Sequence, residues 1–186
     1  MTVDLSNFSS KDFNRGRSAW IEALWLVAQA VFISSWIPGS RHRVWLLRLF
    51  GAEVGTGVTL KPFLRVKFPW RLSVGDYSWI GESVWIDNLV DVRIGRHVCI
   101  SQGAYLCTGS HDWSASDFAL LAHPMRVEDH AWVCAQATLA PGTEVGEGVV
   151  IALRSVASGR LLPWNIYSGS PAVIKAKRII RNKKAS

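Results

Sequence analysis

Residues 127–156 read VEDHAWVCAQATLAPGTEVGEGVVIALRSV, and the spacing inside this stretch decides the fold. Val127, Val133, Leu139, Val145 and Ile151 fall every sixth residue, while Ala131, Ala137, Thr143, Val149 and Ser155 follow each aliphatic by four. Side chains on a strand alternate between faces, so each small residue and the aliphatic two places on point to the same side. Asp129, Gly142, Glu147 and Gly148 come just before the small positions and are types that tolerate a bend. Each unit is therefore a short strand and a turn, with an inward face that it cannot bury alone. Stacked units share a continuous core, so the spacing predicts a β-solenoid.

The same spacing starts at Val54 and runs through Leu60 and Val66, with Val58, Leu64 and Trp70 at the accompanying inward position. The phase slips by two residues before Val74, Ile80 and Ile86, and again before Ile94, Ile100 and Leu106. A slip after every third unit makes three units one coil. The prism is then triangular, with two extra residues at one corner, near Leu72 and Ser73 and again near Val92 and Arg93. From about residue 109 to 126 the pattern breaks, and this stretch is expected as a loop thrown outward from a corner, where a rigid scaffold usually carries its chemistry. After Ile151 the pattern weakens through Ala157, Pro163 and Gly169, and SGSPAVIKAKRIIRNKK is expected to turn and form a basic helix that caps the last coil. The expected organisation is a helical extension over 1–52, the β-helix over 53–172, and a basic C-terminal helix or tail over 173–186.

In the extension, AWIEALWLVAQAVFISSWI (residues 19–37) is nearly long enough to cross a bilayer. Glu22 and Gln29 share one helical face, which a spanning helix would have to hide. A helix packed on the solenoid or on a neighbouring subunit is expected, with interfacial membrane contact, flanked by Arg15, Arg17, Arg41 and Arg43, as the alternative. A second helical pattern passes through Val44, Leu47 and Phe50 and stops at Gly51. With 186 residues, 49% of them apolar, the chain suits one domain. Its formal charge of +7 gives a basic surface suited to anionic lipid or a phosphorylated small molecule, and nucleic acid is not an expected partner. Cys99, Cys107 and Cys134 have no framework spacing and are expected to be reduced, packing residues. The opening MTVDLSNFSSKDF is polar and acidic, unlike a cleavable leader, so a cytoplasmic enzyme, peripheral at the inner face of the membrane if the helix touches lipid, is expected.

With the repeat, the loop CTGSHDW (residues 107–113), the unit VEDHAWV (127–133) and the exit GSPA (169–172) in place, the chain resembles the hexapeptide-repeat acetyltransferases. Within them it looks most like the colanic-acid-type and galactoside-type sugar O-acetyltransferases, over residue 38 to about 178. The resemblance implies an all-β fold, a left-handed parallel β-helix, against the usual right-handed rule for parallel crossovers. It also implies homotrimers, acetyl-CoA as donor and active sites between neighbouring prisms. Outward Trp79, Trp85 and Tyr105 fit a trimer, because one prism alone would expose them as apolar patches.

Acetyl transfer to a hydroxyl needs a base, since an alcohol attacks a thioester poorly until its proton is being removed. Histidine suits the task. His42 falls in the early basic helix, His97 and His130 at bends and His123 at the end of the loop, while His111 within TGSHD matches the family's catalytic base. Asp112, or Asp87 from the preceding coil, could orient its imidazole. Trp132 matches the family's tryptophan beside the cofactor channel, or is simply an outward aromatic. Ala135, Leu153 and Ser158 match positions that contact coenzyme A. Many relatives carry Thr-Lys where this chain has Ser158 and Gly159, so Arg160 or Lys175 is expected to substitute at the phosphates. For a sugar acceptor, Trp85, Asp87, Asn88 and Trp113 supply hydrogen-bonding groups and aromatic faces.

Two rival functions use other features. A zinc carbonic anhydrase on the same solenoid would need three converging histidines, for which His111, His123 and His130 are the available set; no bound metal is expected. A non-catalytic module would have no chemical need for the TGSHD histidine. The acceptor itself, a sugar, a lipid-linked sugar or another small hydroxyl or amine compound, is not written in the sequence.

Overall fold

The computed structural model describes residues 2–9 and 13–181. Three sheets of parallel strands form the sides of a prism, and each of the first five coils contributes one strand to each. Face one stacks Glu53–Val54, Leu72–Val74, Val92–Ile94, Met125–Val127, Glu144–Val145 and Arg160–Leu161. Face two includes Thr59–Leu60, Trp79–Ile80, Cys99–Ile100, Trp132–Val133 and Val150–Ile151. Face three runs from Arg65–Val66 through Trp85–Asp87, Tyr105–Cys107 and Thr138–Leu139 to Val156–Ala157.

The repeat positions fill the core as the spacing predicts. Val127, Val133, Leu139, Val145 and Ile151 are buried, and so are Ala131, Ala137, Thr143, Val149 and Ser155. Val54 pairs with Val74 and Val74 with Ile94, giving 20-residue coils, whereas Val127 pairs with Val145 in an 18-residue coil. The two extra residues of the early coils lie at the corner between faces three and one. There Phe68 turns into the prism and Pro69–Arg71 form a 3-10 turn, so Trp70, expected inward, is only half-buried. Bends take a left-handed residue: His97, His130, Gln136 and Arg154 all have φ between 54° and 62°. At Gly148 (φ 63°) a Cβ would lie 2.6 Å from the Trp164 ring, so glycine is required there by space.

The last coil departs from the expected phase. Val145 pairs with Leu161 and Ile151 with Tyr167, so this coil is two residues shorter, and Leu161 and Tyr167 are buried where Pro163 and Gly169 were expected. The tail does not continue as a helix either. Ala172–Lys177 is a strand, antiparallel to Asn165–Gly169 on face two. That free edge supplies backbone partners to a β-branched run arriving from a tight turn, an outlet that a short helix lacks. The basic residues from 182 onward lie outside the described residues.

At the other end, α1 (Ala19–Ala28) runs into a π-helical turn (Gln29–Ile33), and α2 (Arg41–Leu49) follows. Both pack on the first coil, with Trp25, Ile33, Leu46 and Leu47 buried. The open edge of that coil is satisfied by their side chains. Trp25 Nε1 donates to the Val66 carbonyl at 2.9 Å, Gln29 Oε1 accepts from the Val66 N–H at 2.6 Å, and the Ser34 and Ser40 hydroxyls donate to the Leu64 and Leu60 carbonyls. Gln29 is thus turned onto the solenoid. Arg43, expected as a flanking surface charge, is fully buried and donates to the carbonyls of Ile33, Ser35, Ile37 and Gly39, while burial lowers its pKa. No helix among the described residues is long and apolar enough to cross a membrane.

Candidate active site

The chain leaves the prism at Thr108, where face three ends, and returns at Met125, which pairs with Val92 on face one. Gly109–His111 and Leu120–Ala122 form an antiparallel pair within this excursion, with His111 opposite Leu120. The His123 N–H donates to the Thr108 carbonyl at 2.9 Å and closes the neck.

His111 is held on several sides. Its ring stacks on Phe118 at 4.2 Å and 7°, and the ring of Phe8 meets it edge-on at 5.4 Å. Its Nδ1 lies 2.8 Å from the Phe118 carbonyl oxygen. A carbonyl only accepts, so Nδ1 carries the proton and Nε2 of the neutral ring keeps its lone pair. Phe118 reaches this position with φ at 52°. The N-terminal arm that brings Phe8 is pinned to the loop by the Asp4 N–H, which donates to the Ser116 carbonyl at 2.9 Å. Phe8 and the Phe118 carbonyl are site groups that sequence reasoning missed. One is about a hundred residues away in the chain, and the other is a main-chain atom.

Neither carboxylate expected to orient the imidazole has that role in the structure. Asp112 Oδ1 accepts from Ser114 N at 2.9 Å and Ser114 Oγ at 2.5 Å, which lowers its pKa. It caps the tip of its own loop, while Nδ1 is taken by Phe118. Asp87 lies on face three, where Lys67 Nζ approaches at 3.3 Å and the Tyr105 hydroxyl donates at 3.2 Å. Burial, then Cys107 and Asp87, raise the Tyr105 pKa, so its phenol stays protonated and remains a donor. The Asp87 carbonyl receives Thr108 N and Oγ1, so Asp87 anchors the start of the loop.

The expected acceptor residues separate. Asn88 is fully buried, and its side-chain amide exchanges two hydrogen bonds with the Phe68 backbone, so it is spent on the corner and unavailable to a sugar. Trp85 is covered on one side by the Arg65 guanidinium at 4.0 Å and stacked on Tyr105 at 4.6 Å, so it offers an edge to a cavity of 430 Å³ and no free face. Trp113, 82% exposed at the loop tip, keeps its ring faces open.

Of the expected cofactor residues, Trp132, Ala135 and Leu153 come together around the corner between faces two and three. Trp132 points outward with Nε1 donating to Ser101 Oγ at 2.9 Å, and the Arg154 N–H donates to the Ala135 carbonyl at 3.1 Å. Arg154 Nε donates to Gln136 Oε1 at 2.6 Å, which puts an exposed guanidinium at the same corner, a charge the sequence reading did not single out. Ser158 stands at the next corner and Lys175 on the terminal strand of face two. Arg160 is on face one, in a hollow of 890 Å³ that it shares with Arg93 and Arg126 and that contains neither His111 nor Trp132. Within one chain the His111 loop and the Trp132 corner belong to different edges of the prism.

The three histidines of the zinc alternative do not converge. His130 stacks on His97 at 5.3 Å at a bend, and His111 is engaged with Phe118. Among the described residues no group of three or more His, Cys, Asp or Glu is placed to hold a metal ion.

No family model matches the chain. Among curated proteins it is 38% identical over 180 residues to the Escherichia coli K12 protein named colanic acid biosynthesis acetyltransferase WcaF, covering 95% of this chain and 97% of that one. Among solved structures it matches a hexapeptide-repeat-containing acetyltransferase from Vibrio cholerae with a TM-score of 0.77 and 25% identity, covering 86% of this chain and 93% of that chain. A galactoside acetyltransferase in complex with coenzyme A matches with a TM-score of 0.75 and 16% identity, over 85% of this chain and 80% of that chain. These likenesses carry the left-handed parallel β-helix expected from the resemblance.

Proposed function

Because the chain belongs to the hexapeptide-repeat acetyltransferases, we propose that it moves an acetyl group from acetyl-CoA to a hydroxyl of a sugar or exopolysaccharide precursor, with His111 as general base. The observation that carries this reading is the 2.8 Å bond from His111 Nδ1 to the Phe118 carbonyl, which leaves Nε2 free to take a proton. Acetyl-CoA supplies an acyl group activated as a thioester. The chain's part is to hold the acceptor hydroxyl at Nε2, accept its proton as the oxygen attacks the thioester carbonyl, and return that proton to the departing thiolate. With Nδ1–H bonded to a carbonyl, the imidazolium formed in between is stabilised without a change of orientation.

Trp132, Ala135 and Leu153 form a corner suited to an extended thioester arm, and Arg154 adds a fixed charge suited to phosphate. That corner and the His111 loop lie on different edges of one prism, which supports a trimer in which one copy's loop meets its neighbour's corner. A solved relative, the galactoside acetyltransferase above, binds coenzyme A, and WcaF is named for colanic acid biosynthesis; both favour a saccharide acceptor. The test is acetyl-CoA consumption by the purified protein with free sugars, nucleotide sugars and lipid-linked sugars in turn. Turnover confined to a saccharide class supports the reading, and turnover only with amines would replace it.

A further inference from the structure

The helices that close the first coil leave a large apolar surface on their far side. Trp20, Leu24, Val27 and Val31 recur at helical spacing and are between 50% and 82% exposed, forming one stripe opposite the bonds that Trp25 and Gln29 make to Val66. Trp36, in the connection to α2, and Trp45, on α2, are exposed as well. Singly exposed apolar residues need no explanation, but a contiguous group of this kind marks an interaction surface.

Charge decides the occupant. Between residues 13 and 52 the sole acidic residue is Glu22, and it is paired with Arg15 at 2.7 Å. Arg17, Arg41 and Arg48 are exposed in the same segment. A second copy meeting this end head-on would bring like charges together, whereas anionic lipid headgroups complement them. Tryptophans at the margin of an apolar face suit the boundary between headgroups and acyl chains.

We propose that this end of the prism docks on the surface of an anionic lipid membrane, with α1 lying in the interface. Arg65, Trp85 and Tyr105 are successive strands of face three, so the loop leaves the prism two strand spacings, about 10 Å, from the docked coil. A helix about 10 Å across intervenes, giving a loop height of roughly 20 Å above the lipid surface.

The experiment is flotation of the full chain with phosphatidylcholine vesicles, with and without phosphatidylglycerol. Binding to the anionic vesicles should exceed binding to neutral ones and weaken as salt is added. A Trp20→Ser/Leu24→Ser/Val27→Ser triple variant should lose roughly a hundredfold or more in partitioning, since three buried apolar side chains are removed from the lipid. Its far-ultraviolet circular dichroism should be unchanged, because these side chains face outward. Ile179→Ser, exposed on the tail strand's side, should bind like wild type. Wild type that fails to float, a triple variant that floats equally well, or a triple variant whose subunits separate in sedimentation would overturn the proposal, the last by assigning this face to contacts between copies.

Discussion

His111 and Phe118 form a closed unit: the two rings stack at 4.2 Å, and the main-chain carbonyl of Phe118 accepts the Nδ1 proton of His111 at 2.8 Å. The residue that fixes the tautomer is therefore a backbone atom of the same loop. The two carboxylates expected to orient the imidazole are engaged elsewhere, Asp112 with Ser114 and Asp87 with Lys67 and Tyr105.

Phe8 meets the imidazole edge-on at 5.4 Å. Phe8→Ala should lower kcat by about three- to tenfold, the worth of one aromatic contact, while the KM for acetyl-CoA stays within twofold or so. Phe8→Leu should recover part of the loss. Equal losses in thermal stability and in kcat, without recovery by leucine, would make Phe8 a folding residue only.

Arg43→Met should destabilise the protein by about 3–5 kcal/mol, because four carbonyl groups lose their donor inside the helical cap. Urea unfolding followed by tryptophan fluorescence checks this. A shift below about 1 kcal/mol would mean that water replaces the guanidinium.

The Asp76 carboxylate accepts the Thr56 N–H at 2.7 Å and its hydroxyl at 3.1 Å, tying the first coil to the second, and these bonds depress its pKa. A depressed carboxylate contributes stability that is present above its unfolded pKa and lost as pH falls through the folded value. Asp76→Asn should therefore be less stable than wild type near neutrality, and the gap should narrow as pH drops below about 4. Parallel stability curves at pH 7 and pH 3 would contradict this.

Trp79 is 58% exposed on face two, one strand from Cys99 and two from Trp132. If neighbouring prisms share this face, Trp79→Glu should give folded monomers without turnover. Sedimentation velocity and circular dichroism report the two properties separately, and a fully active monomer would remove the trimer from the account.

Much of this architecture was legible because the repeat couples spacing directly to burial. Val133, Leu139 and Ile151 could be placed in the core from position alone, and the two-residue slips marked the wide corner. The same slip hid Asn88, which the extra residues turn inward onto Phe68. The tail misled because an apolar run as short as Val173 and Ile174 fits helix or strand, and the free edge at Asn165–Gly169 decided between them. At the site, TGSHD drew attention to His111, but a main-chain partner has no side-chain signature, so the Phe118 carbonyl at its Nδ1 could not be anticipated. Phe8 was equally hidden, since nothing in its local sequence reports a contact with a loop so distant in the chain. Trp85 looked free in the sequence because period-two alternation says which side a ring faces and nothing of the Arg65 and Tyr105 side chains that cover it.

The most direct test of the account is the turnover of His111→Ala with a saccharide acceptor, measured as acetyl-CoA consumption beside coenzyme A affinity from calorimetry. Loss of the base should lower turnover by roughly a hundredfold to ten-thousandfold, with coenzyme A affinity nearly unchanged, because the Trp132 corner remains intact. Near wild-type turnover in the mutant would put the base elsewhere, and loss of coenzyme A binding in step with turnover would make His111 a binding or folding residue.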